Sequence, residues 1–72
     1  MEKIYIITEF IRLDAALKMG GGVDTGGQAK VVIQSGLVTV NGELCTMRGK
    51  KLRPGDRFQF DGRQYEVCSR EG

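Results

Sequence analysis

The stretch Thr25-Gly26-Gly27-Gln28-Ala29-Lys30 holds residue types and a spacing that could do chemistry, and that chemistry is the capture of an anion. Thr25 and Gln28 fit the S/T-x-x-E/Q capping box. In it the hydroxyl accepts from the amide of residue 28 and the glutamine side chain reaches back, so a helix is predicted to begin at Thr25. At such a start four backbone N–H groups lack partners, and together with the helix dipole they favour a negative group. Glycine costs about 1 kcal/mol against alanine inside a helix, yet two glycines stand here. Bare positions at Gly26 and Gly27 would let an anion reach the amides, and Lys30, one turn further on, adds a full positive charge. The same glycines would also suit a tight entry turn or close packing against a neighbouring helix, and the residues alone leave both readings open. The stretch is not a P-loop, because GGGVDTGG lacks the lysine that G-x-x-x-x-G-K-[ST] requires.

A second group is basic. Residues 44–60 carry Arg48, Lys50, Lys51, Arg53 and Arg57 against one acid, Asp56, although 11 Lys/Arg and 9 Asp/Glu leave the whole chain at only +2. The segments on either side are slightly acidic. Such a stripe is either an electrostatic footprint for an anionic polymer or a solvated loop that keeps a small protein in solution, and charge alone does not decide. Catalysis finds no support. Histidine is absent, Cys45 and Cys68 have no triad-like partners, and Asp14, Asp24, Asp56 and Asp61 suit caps and turns. The protein is not expected to be an enzyme. The two cysteines form no C-x-x-C, so a four-ligand zinc site is excluded, and no cofactor is expected. MEKIYIITEF is too short and too charged for a signal peptide, and no apolar run approaches the ~20 residues of a membrane span. The expectation is a cytoplasmic protein, without membrane contact, whose two thiols are reduced, although sequence alone leaves a disulfide open.

A length of 72 residues predicts one domain, 1–72. A chain of this size buries only roughly 60% of its unfolded surface, enough for two short helices and a small sheet but not for a deep catalytic pocket. KIYII (3–7) reads as a strand. In LDAALKM (13–19), Leu13, Ala16 and Leu17 share one helical stripe, Asp14 and Lys18 suit the dipole at either end, and Gly20-Gly21-Gly22 stops the helix. In the second helix Ala29, Val32 and Ile33 repeat the stripe. Lys30 and Gln34 take an exposed face, and Gly36 fits the position just past the end. Leu37 to Val40 alternates, Asn41-Gly42 predicts a type I′ hairpin, Pro54-Gly55 a type II turn, and residues 58–67 a second hairpin around Asp61-Gly62. This order predicts an α+β domain with two short helices packed on one face of a small antiparallel sheet. Tyr5, Phe10, Phe58, Phe60 and Tyr65 fall where core burial is expected.

The run IRLDAALKMGGGVDTGGQAKVVIQSGLVTVNGE, followed by KLRPGD, resembles the S4 RNA-binding domain from residue 11 to about residue 60, and the chain length is similar to that of small stand-alone bacterial S4-like proteins. The resemblance is carried by Leu13 to Leu17, Thr25, Ala29-Lys30, Gly36 through Gly42, and Gly55-Asp56, in that order. It implies an S4-like fold (the αL motif). It also implies an RNA surface made by the second helix and the loop after the first hairpin, with Thr25, Gly26, Gly27, Gln28, Lys30, Arg48, Lys50 and Lys51 as the candidate contacts. Many S4 domains begin that helix with Ser-Arg. Here Thr25-Gly26 stands instead, so backbone amides and Lys30 are expected to take the place of the arginine, with the Arg48 to Lys51 loop contributing charge. The implied partner is structured RNA, ribosomal or transfer, bound by a monomer through phosphate contacts and shape more than base identity, in ribosome assembly or translation. Two other readings stand beside it. One is a protein-interaction module with a basic loop. The other is a ubiquitin-like sulfur carrier, which VNGE and PGDRFQF resemble, but that group presents a C-terminal Gly-Gly where this chain reads Ser-Arg-Glu-Gly.

Overall fold

Both apolar stripes become helices, and the period-two segments become strands. The computed structural model describes residues 1–70. Its elements run β1 (Glu2–Ile6), β2 (Ile11–Arg12), α1 (Leu13–Met19), α2 (Gly26–Gln34), β3 (Val38–Val40), β4 (Glu43–Leu44), β5 (Lys51–Leu52), β6 (Arg57–Phe60) and β7 (Arg63–Ser69). The main sheet has the order β1-β7-β6-β3-β4, and β2 pairs with β5 apart from it. Helices on one face of the sheet make the α+β architecture that the sequence predicts.

The sheet is mixed, which corrects the expectation of an antiparallel one. β3–β4, β3–β6 and β6–β7 are antiparallel, but β1 lies parallel to β7, with Ile4 opposite Val67. The reason is connectivity. Asn41-Gly42 (φ +51° and +84°) and Asp61-Gly62 (φ +54° and +75°) make two-residue turns, and a turn that short forces reversal of direction. β1 meets β7 only after both helices and the other strands, so no turn dictates its sense.

Period two decides which side chains enter the core. Ile4 and Ile6, Val38 and Val40, Phe58, and Tyr65 and Val67 point inward against Leu13, Ala16, Leu17, Ala29 and Ile33 of the helices. Tyr5 falls between two inward residues and is 51% exposed, contrary to the expected burial. Phe58 and Tyr65 stack with their ring centroids 4.7 Å apart. Phe10 and Phe60 are half-buried.

The helix ends explain where the loops go. Thr25 Oγ1 accepts from the Gln28 amide at 3.1 Å. Gln28 Oε1 accepts from Asp24 N at 2.8 Å, so the capping box closes one residue upstream of its usual partner. Gly36 takes φ +78°, and the amides of Gly36 and Leu37 donate to the carbonyls of Ile33 and Val32, both at 3.1 Å. That pair of bonds is the Schellman closure. α1 has no side-chain cap at Arg12. Its first amides, of Leu13 and Asp14, donate instead to the carbonyls of Lys50 (2.8 Å) and Arg48 (3.1 Å). The basic loop is therefore fastened by its own backbone to the start of α1.

Gly20, at the end of α1, is required by packing. A Cβ there would lie 2.6 Å from Cε1 of the buried Tyr65 ring and 3.2 Å from Ile4 Cδ1. Gly20→Ala is expected to cost about 1–3 kcal/mol through overpacking, seen as a fall in Tm of roughly 5–20 °C in a thermal melt. An unchanged Tm would show that the Tyr65 ring gives way freely.

Candidate nucleic-acid interface

At the start of α2, Gln28 N is taken by Thr25 Oγ1 and Ala29 N by Thr25 O. The amides of Gly26 and Gly27 have no acceptor among the described residues. A Cβ on Gly26 would meet nothing within 4 Å, and one on Gly27 would meet only Thr25 Oγ1, at 3.8 Å. Neither residue has a positive φ. Helix packing and turn geometry thus leave room for side chains at both positions, unlike at Gly20, and of the two uses read from the sequence the open approach to the amides is the one this geometry fits.

The cations gather at the start of the other helix. β2 and β5 place Arg12 opposite Lys51, and the Lys51 ammonium lies over the Phe10 ring, 4.9 Å from its centroid. Asp14 is 8% exposed. Its Oδ2 accepts from Arg12 Nη2 and Arg48 Nε, each at 3.2 Å, and its Oδ1 from Ala15 N at 2.8 Å. The two guanidiniums remain substantially exposed, at 52% and 41% of the side chain. A buried carboxylate therefore draws two solvent-facing arginines together, and it cancels one of their two charges. Lys18, Lys30, Lys50 and Lys51 are exposed and form no ion pair among the described residues.

The helix start meets part of this cationic group, while Lys50 lines a separate hollow with Val40, Asn41 and Glu43. An open hollow of about 530 Å³ is lined by Arg12, Asp14, Ala15, Lys18, Met19 and Gly26. Lys30 stands one turn beyond Gly26, only roughly 40° round the helix. Of the residues singled out from sequence, Gly26 and Lys30 lie on this side, and Arg48 reaches it through Asp14. Thr25, Gly27 and Gln28 border a second hollow on the opposite flank of α2. Arg12 and Asp14 line the first hollow but are not among the residues singled out from sequence. Arg12 lies outside the basic stripe, and its spacing of two from Asp14 is the one local feature that could have drawn attention to it. The pairing of Asp14 with Arg48 spans 34 positions and has no local signature.

Residues that carry the resemblance also hold the scaffold. Asn41 Nδ2 donates to Asp56 Oδ1 at 3.2 Å, Asn41 Oδ1 accepts from Arg57 N at 3.0 Å, and Asp56 Oδ2 accepts from Arg53 N at 2.8 Å. The Asn-Gly and Gly-Asp signatures thus lock β3 to the turn before β6, and Asn41 shares a hollow with Lys50. Cys45 and Cys68 are free thiols. No helix of the described residues is long and apolar enough to cross a membrane.

A two-helix layer on a small sheet, presenting a bare helix start beside a basic loop, is the arrangement expected of an S4 domain. The S4 domain family matches residues 4–68, and the chain belongs to it. Among its relatives is the probable ribosome maturation protein RlbA of Bacillus subtilis (strain 168), 39% identical over 59 residues that make up 82% of this chain and 83% of that protein.

Proposed function

We propose that the protein, acting as one domain over residues 1–72 and as a monomer, binds structured RNA through its phosphate backbone. The amides of Gly26 and Gly27 would receive one phosphate, and Lys30, Arg48, Lys50 and Lys51, with Arg12, its neighbours along the strand. Thr25 and Gln28 hold the helix start in shape. The observation that carries this reading is the empty space over Gly26, a glycine that the fold itself does not demand, in the hollow it shares with Arg12 and Lys18. Family membership supports RNA as the polyanion. The Bacillus subtilis relative is a probable ribosome maturation protein, so ribosomal RNA is the favoured target, ahead of transfer RNA.

About three to four phosphate contacts would give a slope of log K against log salt of about −2 to −3.5. The direct test is Gly26→Val, measured by filter binding to ribosomal RNA over a range of salt, alongside a thermal melt. The side chain has room in the fold, so Tm is expected to stay within a few degrees, while affinity falls by about tenfold, equivalent to ~1.4 kcal/mol. Loss of folding in proportion to loss of binding would return Gly26 to a structural role. Binding to an RNA-free protein partner with no salt-dependent RNA affinity would favour the protein-interaction reading instead.

A further inference from the structure

The flank of α2 opposite the cations has a different character. Val23, Val31, Val32 and Phe60 line an open hollow of about 540 Å³, with Thr25 and Gln28 also on its wall. Val31 is 62% exposed, so the core closes without it. We infer that this hollow receives one unpaired base of the bound RNA, and that Gln28 reads the edge of that base. The inference rests on the RNA reading above and adds to it a single point of base selection.

Gln28 is held for such a task. Its Oε1 is occupied by Asp24 N at 2.8 Å, which fixes the plane of the amide and leaves both Nε2 hydrogens without an acceptor among the described residues. Thr25 Oγ1 accepts from Gln28 N at 3.1 Å through one lone pair, and its hydroxyl hydrogen is free to donate. The oriented Gln28 donors match bases whose edges carry carbonyl acceptors. Guanine offers O6 and N7, and uracil offers O4 in the position that thymine does, whereas adenine and cytosine place an amino donor there. The apolar walls and the Phe60 ring suit the faces of a base turned out of a helix, the usual target of sequence-specific RNA recognition. Continuity with the phosphate contact comes from Gly27, which lines the hollow and also offers a free amide at the helix start. Phosphate and base of one nucleotide can therefore engage the same turn of α2 from its two sides.

The test uses the full chain and RNA stem-loops that carry one bulged nucleotide, G, U, A or C, with a fully paired stem as the fifth probe. Affinities are read by fluorescence anisotropy at one salt concentration. Bulged G and U are expected to bind about tenfold tighter than bulged A, bulged C or the paired stem, the size of one base–aromatic contact. Val31→Gln, a neutral change at an exposed helical position, is expected to erase that preference while leaving paired-stem affinity within about twofold. Gln28→Glu keeps an oxygen for Asp24 N but removes both donors, so it should turn the preference toward A and C even as overall affinity drops. Equal affinity for all five RNAs, with salt-dependent binding intact, overturns the base site and leaves the hollow to an apolar protein segment. Absence of salt-dependent binding to any of them would instead overturn the RNA reading on which the inference stands.

Discussion

Replacing Arg48, Lys50 and Lys51 together by alanine is expected to lower RNA affinity by about 10²-fold at ~0.1 M salt and to shrink the salt slope by about 2. The size follows from counterion release. Each cation that neutralises a phosphate adds about −0.7 to −0.9 to the slope, or roughly sixfold in affinity at that salt. Stability should change little, because the loop is fastened to α1 by main-chain bonds, from Leu13 N to Lys50 O and from Asp14 N to Arg48 O, and alanine keeps both. The costs that remain are local. Lys51 loses its contact with Phe10, and Asp14 keeps Arg12 as its one guanidinium partner. Lys30→Glu makes a separate check on α2. Reversing one charge beside the bare amides should weaken binding and flatten the slope without touching the loop. Filter binding across salt concentrations measures both variants. If both bind like wild type, the assigned surface is wrong, whatever their melting temperatures.

How much of this could be read before the structure depends on distance along the chain. The Thr25–Gln28 cap, the closure at Gly36 and the two Xaa-Gly hairpins were legible because each is settled by residues within a few positions of one another. The inward faces were legible where alternation was strict, as in Val38 to Val40. Tyr5 was misread because aromatic character outweighed its place between Ile4 and Ile6, where the pleat turns it outward. The parallel sense of β1 had no signal, since its partner is more than sixty residues away in sequence. The site divides in the same way. Gly26 and Lys30 belong to one turn of helix, and their use could be argued from spacing. Arg12 joins Arg48 only because β2–β5 pairing folds the loop back onto α1, and Asp14 looked like an ordinary first-turn acid until that closure buried it between them.

That burial makes Asp14 the sharpest test of the arrangement, because charge counting and geometry give opposite answers. Removing an acid from a surface that binds a polyanion raises the local charge by one, and on electrostatics alone Asp14→Ala or Asp14→Asn should bind RNA more tightly. The geometry predicts the reverse. Without the carboxylate, Arg12 and Arg48 lose the group that holds both at 3.2 Å. Two like charges then repel, and each long side chain regains rotamer freedom that binding must remove at about 0.5–1.5 kcal/mol. Affinity is expected to fall about five- to tenfold for Asp14→Ala, close to 1 to 1.4 kcal/mol. Asp14→Asn should fall less, since its oxygen can still accept from one guanidinium. Stability should drop as well, by about 1 to 2 kcal/mol. One partner of a largely buried ion pair is lost, but the arginines are exposed enough for water to take over much of their solvation. The readout that separates positioning from mere loss of fold comes from the Arg48 Nε–H and Arg12 Nη–H side-chain signals in NMR spectra recorded well below the Tm. Both resonances should broaden or collapse toward free arginine in the Asn variant while the backbone spectrum stays that of the folded domain. Tighter RNA binding by the folded Asp14→Asn variant would mean that the carboxylate merely opposes the polyanion.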